Sequence, residues 1–475
     1  MFSNFTLSTT SKQITMETLA LNGLKNKMNG TVVEPGDPTY DEVRKIWNGM
    51  FDKKPAIIAR CSSVSDVVAA VNFARQNNIT IAIKGGGHNS AGTGSCEDGL
   101  MIDLSPLKKI TVDRKNKTAS VQGGCLWGEV DAALQQFGLA IPSGIISHTG
   151  VGGLTLGGGF GWISRKYGLT IDNLLAVELV TADGRVVHAN EAENPDLYWA
   201  VRGGGGNFGI VTEFQFTCVE VGTMVYSGAI VKRIEDITSY IKFHREYVRK
   251  MPDDMTIWMV IRHAPPLPFI QEEMHGKLVV IIPFVWLGAP DKGKELMQPI
   301  REISETIGDG SGIHPYVAWQ AAFDGLVPHG ARNYWKSHHL TGISDACIDV
   351  LREYSLKMPT TECEIFIPHM EGAISRIPVD ATAFSHRTTP FVLNIHTRWQ
   401  SPTDDERCHA WAKELHDATK PFSHGVYVNF LSNEGEERVR QAYSEEAWAR
   451  LVNAKNKWDS ENFFRINQNI KPEKP

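Results

Sequence analysis

The stretch IAIKGGGHNSAG, Ile81 to Gly92, joins an alternating apolar run to three glycines and a histidine. Bare backbone at Gly85, Gly86 and Gly87 lets N–H groups approach an anion or a flat ring closely. His88 then sets an imidazole at the point of approach, where it can act as a nucleophile or carry a proton near neutral pH. A second string, GVGGLTLGGGFG from Gly150 to Gly161, has glycine at seven of its twelve positions. That composition suits neither an ordinary helix nor an ordinary strand. A third run spans Gly203 to Gly206. Three such loops in one stretch point to a diphosphate or a large flat cofactor. Gly204 to Gly209 formally matches the dinucleotide fingerprint G-x-G-x-x-G. That fingerprint needs a strand before it and a helix after it, and here the pattern runs the other way, so it is rejected. The P-loop pattern is absent.

The loops need elements to hold them. SSVSDVVAAVNFARQNN has a capping pattern, Ser63 to Asp66, before apolar residues at helical spacing. ITIAIKG alternates as a strand and leads into the first loop. Three short strands are expected between Gly99 and Gly124, with a turn at Asp113 to Lys117. A helix is expected over LWGEVDAALQQFG, stopped by Gly138. LLAVELVTADGRVVHA predicts a hairpin turning at Asp183-Gly184, and Asn194-Pro195 opens a short helix. After about residue 222 glycine thins out and long helical patterns alternate with strands, so a boundary is placed near Val221.

The strings IAIKGGGHNSAG, SHTGVGGLTLGGGFGWISRKYGLTIDNLLAVELVTADGRVV and NPDLYWAVRGGGGNFGIVTEFQF resemble the FAD-binding domain of the vanillyl-alcohol oxidase, or PCMH-type, superfamily. The ending VYVNF…WDSENFFRINQNIKP resembles the C-terminal segment of berberine bridge enzyme-like oxidases, a group that takes in bacterial hydroxynicotine oxidase-like members. The resemblance covers about Lys53 to Val221 and the last hundred residues. It implies an α+β fold: a PCMH-type FAD-binding domain of two α/β subdomains, and a substrate domain with an antiparallel sheet covered by helices. The implied division is a loose segment 1–35, an FAD-binding domain 36–221, a substrate-binding domain 222–425, and a C-terminal segment 426–475 returning to the FAD domain.

The resemblance also implies site residues. His88 matches the position that bonds covalently to the 8α-methyl of the flavin. Many relatives add a cysteine bond to flavin C6, but Ile146 stands at that position, so a single tether is expected. Around the cofactor the resemblance places Lys84, Gly85, Gly86, Gly87, Asn89, Ser90, Thr149, Gly150, Gly152, Gly153, Leu156, Gly157, Gly158, Gly159, Phe160, Gly161, Gly209, Ile210, Val211, Tyr427, Asn429 and Asn469. For catalysis it points to Tyr427, with Asn394 and His396 at positions that face the flavin. Either Tyr427 or His396 could be the base, since an imidazole titrates near neutrality. Thr149 stands where a bulky residue blocks O2 in relatives, and its modest size favours an oxidase yielding H2O2. Trp319, Tyr334 and Trp335 read as core aromatics first and pocket aromatics second.

The 475 residues suffice for two or three ordinary cores. With 48 basic against 54 acidic residues the net charge is −6, which argues against a nucleic-acid binder. Seven cysteines with no CxxC pair argue against a disulfide scaffold or a zinc ribbon. His338 and His339 are adjacent on an expected strand and face opposite ways, so no metal site is expected. No secretory signal or membrane-spanning run is visible, and the expectation is a cytoplasmic monomer or homodimer. The expected activity is removal of hydride from a CH–OH or CH–N carbon of a small molecule. The alternatives are a dehydrogenase with another acceptor and a non-catalytic flavin-binding protein.

Overall fold

The computed structural model of the protein describes residues 21–473. Strands β1 (Thr31–Val33), β2 (Ile57–Arg60), β3 (Ile81–Lys84) and β4 (Leu100–Asp103) form a sheet in the order β1-β2-β4-β3. β4 runs parallel to both β2 and β3. A parallel neighbour needs a crossover, and helix α1 (Val64–Gln76) carries the chain from β2 to β3. α1 starts with the expected capping box between Ser63 and Asp66. The Asp66 carboxylate also accepts from the backbone N–H groups of Asn29, Gly30 and Ser62. The expected loose segment 1–35 is therefore corrected over its second half. Residues 21–27 are helical and β1 pairs with β2. Residues 1–20 lie outside the described part.

Next in the chain come β5 (Ile110–Asp113), β6 (Thr118–Gln122), β7 (Leu139–Ala140), β8 (Leu174–Val180), β9 (Val186–Ala189), β10 (Ile210–Thr217) and β11 (Val219–Glu220). Five of them make a sheet in the order β5-β6-β10-β8-β9, and β7 pairs with β11. The hairpin β8–β9 turns at Asp183-Gly184 as expected, with Gly184 at φ +80°. Helices α2 (Trp127–Gln135), α3 (Val151–Leu156) and α4 (Pro195–Val201) connect these strands. α3 corrects the sequence reading. The glycine string is not all loop, because Val151 is fully buried and anchors one and a half helical turns through Gly152 and Gly153.

The third sheet is antiparallel throughout. Its strands are β12 (Met224–Arg233), β13 (Met255–Ile257), β14 (Met259–His263), β15 (Leu278–Trp286), β16 (Thr306–Asp309), β17 (Gly312–Pro315), β18 (Arg332–Leu340), β19 (Glu364–Ile367) and β20 (Phe391–Trp399). The main path runs β16-β12-β15-β14-β19-β20-β18. Side chains alternate across a strand. Ile365, Ile367, Leu393 and Ile395 face helices α5 (Ile237–Tyr247), α6 (Pro290–Glu302), α8 (Asp345–Ser355) and α9 (Asp405–Thr419), forming one core. Phe366 and Val392 face the other way, toward Trp258, Phe160 and Tyr427. Between α6 and α8 lies the short helix α7 (Tyr316–Gln320). The last helix, α10 (Glu445–Trp458), returns to the first half of the chain and packs on α4. There the Lys455 ammonium, fully buried, donates to Asp459 at 2.6 Å and to the carbonyls of Asn207 and Phe464. All seven cysteines are free and buried. Among the described residues no helix is long and apolar enough to cross a membrane.

Candidate active site

The first two glycine loops interlock as bare backbone. A Cβ on Gly86 would sit 2.5 Å from the Gly150 nitrogen, and one on Gly150 would sit 2.4 Å from the Gly86 nitrogen. Neither position admits a side chain. Beside this junction opens a cavity of about 310 Å³. Gly85, Gly86, Gly87, His88, Asn89, Thr149, Gly150, Gly152, Gly153, Leu156, Phe160, Gly209, Ile210, Val211, Tyr427 and Asn429 all line it, as does Ile146. Lys84, Ser90, Gly157, Gly158, Gly159, Gly161, Asn394, His396 and Asn469 do not. The Lys84 ammonium donates to the Val43 carbonyl at 2.6 Å, and the Ser90 hydroxyl donates to the Leu431 carbonyl. Gly158 and Gly159 shape the string behind Phe160, where Gly159 has φ +76° with its Cβ place filled by Thr170.

The structure adds lining residues to those the resemblance named. Gly205, Gly206 and Asn207 bring the third glycine run to the cavity, and Asn467 and Gln468 bring the C-terminal segment. The two are stitched together. Asn207 donates to the Gln468 carbonyl and accepts from the Ile470 N–H, and Asn467 donates to the Gly206 carbonyl. The polar string RINQNIKP was the available signal. Trp258, Trp335, Phe366 and Phe430 also line the cavity, though by sequence each reads as core. Tyr334 and Trp319 do not line it.

His88 sits at the cavity rim, stacked on Trp47 with ring centroids 4.3 Å apart. Its Nε2 shares a hydrogen bond of 3.1 Å with His148 Nδ1, and His148 in turn lies 4.8 Å from the exposed ring of His329. Burial, and then the neighbouring imidazoles of His148 and His329, hold the His88 pKa well below the ordinary histidine value. The ring is neutral at pH 7 and has a lone pair available for bonding.

Tyr427 is buried on the opposite wall. Its oxygen accepts from the Gly159 N–H and from Asn429 Nδ2, both at 2.9 Å. Asn429 also donates to the Leu154 carbonyl, which fixes the amide. Burial pushes the phenol up to about 12, against the pull of those two donors. His396 and Asn394 lie on the same face of β20, but His396 is spent elsewhere. Its Nδ1–H donates to Glu364 Oε1 at 2.9 Å, and its Nε2 accepts from Arg398 Nη2 at 3.2 Å. Burial and the Arg398 charge lower His396 to about 4, outweighing Glu364. Burial works to raise Glu364, but Arg262, His396 and Arg398 together hold it well below the carboxylate range. This cluster of charges is sealed behind Trp335, whose ring meets that of His396 edge-on at 4.3 Å.

The FAD binding domain model matches residues 55–190, and the model for berberine and berberine-like proteins matches residues 426–471. An FAD-linked oxidoreductase of Dictyostelium discoideum is 32% identical over 464 residues, covering 96% of this chain and 97% of its own. The chain belongs to the berberine bridge enzyme-like family of FAD-linked oxidoreductases. Another relative is (R)-6-hydroxynicotine oxidase of Paenarthrobacter nicotinovorans, 29% identical over 461 residues, with 94% and 97% coverage. Among solved structures, 6-hydroxy-D-nicotine oxidase from Arthrobacter nicotinovorans superposes with a TM-score of 0.84 at 27% identity, covering 94% of this chain and 98% of that one. The α+β architecture expected from the sequence is thus the berberine bridge enzyme-like fold. FAD is the cofactor of this family, and the cavity suits it. Its cradle includes the Gly86–Gly150 junction, which no Cβ could enter, and the amide oxygen of Asn467, which lines the cavity, is buried with no protein partner. An oxidoreductase of this family needs such a cradle for the diphosphate and a flat slot for the ring.

Proposed function

We propose that the protein is an oxidase that takes hydride from a CH–OH or CH–N carbon of a small molecule, with FAD tethered through His88 alone and O2 as the final acceptor. The observation that carries this reading is a shared cavity. His88 and Tyr427 line the same space, one on the glycine side and one on the aromatic side. We also read residues 36–221 and 426–475 as the cofactor half and 222–425 as the donor half.

FAD, when bound, supplies a two-electron acceptor that O2 can empty to give H2O2. The chain supplies the rest. Gly85 to Gly87, Gly150 to Gly153 and Gly205 to Gly206 offer backbone to the cofactor without side chains in the way. Neutral His88 is the nucleophile for the tether, and a proton leaving its ring has His148 within hydrogen-bond reach. Ile146 carries no sulfur, so no second tether forms. Tyr427 faces the donor. Two hydrogen bonds into its oxygen stabilise the phenolate that would accept a donor's O–H proton. His396, neutral and bonded at both nitrogens, is the weaker candidate for that role. Thr149, modest in size and on the cavity lining, would leave O2 a way in.

The test is acid precipitation followed by peptide mapping. Yellow in the pellet, carried by one peptide containing His88, is the expected result. His88→Ala should release all flavin to the supernatant. Flavin that stays in the pellet of that variant would sink the tether. Consumption of O2 with H2O2 formed one for one distinguishes the oxidase from a dehydrogenase with another acceptor.

A further inference from the structure

The donor's chemical class is written on the wall facing the glycines. Six aromatic side chains form a continuous set there. Trp258 meets Phe366 edge-on at 5.3 Å and Phe160 at 6.1 Å. Phe160 meets Tyr427 at 5.2 Å, Tyr427 meets Phe430 at 4.9 Å, and Phe430 meets Trp335 at 5.6 Å. These residues come from separated stretches of chain: the second glycine string, the junction of β13 and β14, strands β18 and β19, and the C-terminal segment. Packing of this kind favours a flat apolar guest, since ring edges and faces offer it further edge-to-face partners.

Equally informative is what the wall lacks. Among the described residues, none that lines the cavity is Asp, Glu, Lys or Arg. The sheet does carry charges on this face, but Arg262, Glu364 and Arg398 are locked together with His396 and none of them lines the cavity. The indole N–H groups of Trp258 and Trp335 are buried within the protein without a partner. On the aromatic wall the polar groups the cavity meets are the hydroxyl of Tyr427 and the amide of Asn429, which is already bonded through its nitrogen to Tyr427 and the Leu154 carbonyl. A sugar ring carries several hydroxyls, and each one buried here without a partner would cost roughly tenfold in affinity.

We infer that the donor is a neutral molecule whose oxidisable carbon adjoins an aromatic ring, and that sugars are not substrates. The inference rests on the proposed reading of this wall as the donor side. In the reaction the donor loses a C–H hydrogen with its electron pair and the proton of its O–H or N–H. It leaves as a carbonyl or an imine, two electrons pass to FAD, and O2 takes them to form H2O2.

The experiment uses the purified holoprotein under argon, with 1-phenylethanol and 1-phenylethylamine set against glucose and cellobiose. The readouts are bleaching of the flavin band and, separately, quenching of tryptophan fluorescence by acetophenone, which has no hydride to give. At least one aromatic donor should bleach the flavin, with a second-order rate constant at least a hundredfold above either sugar. Acetophenone should quench saturably, and Phe366→Leu and Phe160→Leu should each weaken that binding about tenfold. Faster reduction by glucose or cellobiose overturns the inference. So does acetophenone binding that neither variant changes. If the protein carries no flavin, the proposed oxidase fails, yet the quenching titration still decides the aromatic wall on its own.

Discussion

The two walls of the cavity are built on opposite principles. One is backbone: glycines from three loops, the first two packed so closely that a Cβ added at Gly150 would stand 2.4 Å from the Gly86 nitrogen. The other is side chain: six aromatics from the second glycine string, the β13–β14 junction, strands β18 and β19, and the C-terminal segment. At Gly86 and Gly150 the backbone wall tolerates nothing added. The aromatic wall tolerates exchange of one apolar shape for another, because volume-conserving swaps in packed clusters cost little. A wall that must meet an invariant cofactor is made from the part of the chain that does not vary between residues. A wall that must choose a donor is made from the part that does.

The largest effect should come from adding one carbon to the first wall. Gly86→Ala puts a methyl where the Gly150 backbone already lies. We expect loss of at least nine-tenths of bound flavin, read as the ratio of absorbance in the flavin band to that of the protein. Gly342→Ala, where an added Cβ meets nothing within 4 Å, is the matched control and should keep full flavin. A Gly86→Ala protein with normal flavin content would mean that the loops do not need their close approach.

Next in size is Tyr427→Phe, which leaves the aromatic wall its shape and takes its proton handling. For an alcohol donor we expect the rate of flavin reduction to fall more than ~100-fold. The pH dependence sharpens the point. Burial raises the Tyr427 phenol to about 12, so its base form is scarce at neutrality and grows with pH. Reduction by an alcohol should rise about tenfold per unit between pH 7 and 9, and the slope should vanish in the Phe variant. A slope that survives the change assigns the base elsewhere. A neutral amine already has its lone pair free and should show the smaller loss.

The contrast between the walls also explains which was legible beforehand. Gly85 to Gly87, His88 and Gly150 to Gly153 stood out because clustered glycine has few other uses, and the resemblance carried their roles residue by residue. Trp258, Phe366 and Phe430 were invisible as site residues. A large aromatic in a strand pattern reads as core, and Trp335 does sit in the core on one edge. His396 shows the limit of a local pattern. Its position showed an imidazole on the cavity face of β20; of the groups that occupy it, Glu364 comes from β19 at a separation no local pattern carries, while Arg398 stands two residues on in β20 itself. The helix α3 was missed because propensity argued against it, while the buried Val151 and the tertiary setting decided for it. The antiparallel sheet under helices was carried by the resemblance, while the long helices beyond residue 222 were visible in their own spacing.

The smallest effect concerns the seam between the walls. The loop from Gly144 to Thr149 carries Ile146, His148 and Thr149, and it is clamped from α7 and the turn after it. Gln320 donates to the Gly144 carbonyl, to Ser143 Oγ and to the carboxylate of Asp131 on α2, and Asp324 accepts from the Ser147 N–H at 2.8 Å. Asp131 is buried, and burial raises its acid to about 7 although Gln320 pulls the other way. A folded-state pKa above the unfolded value means that Asp131 favours the native state most at low pH. That contribution fades as pH rises from about 4 to about 7, where a charge must be kept inside the seam. Its slope is at most ~1.4 kcal/mol per unit. Asp131→Asn holds the uncharged shape at every pH. Its urea midpoint should match the parent near pH 4 and exceed it at pH 8, with flavin reduction little changed. Parallel pH profiles for the two proteins would show that the carboxyl is ionised throughout, and the clamp would then be an ordinary ionic contact with no pH dependence to give the loop.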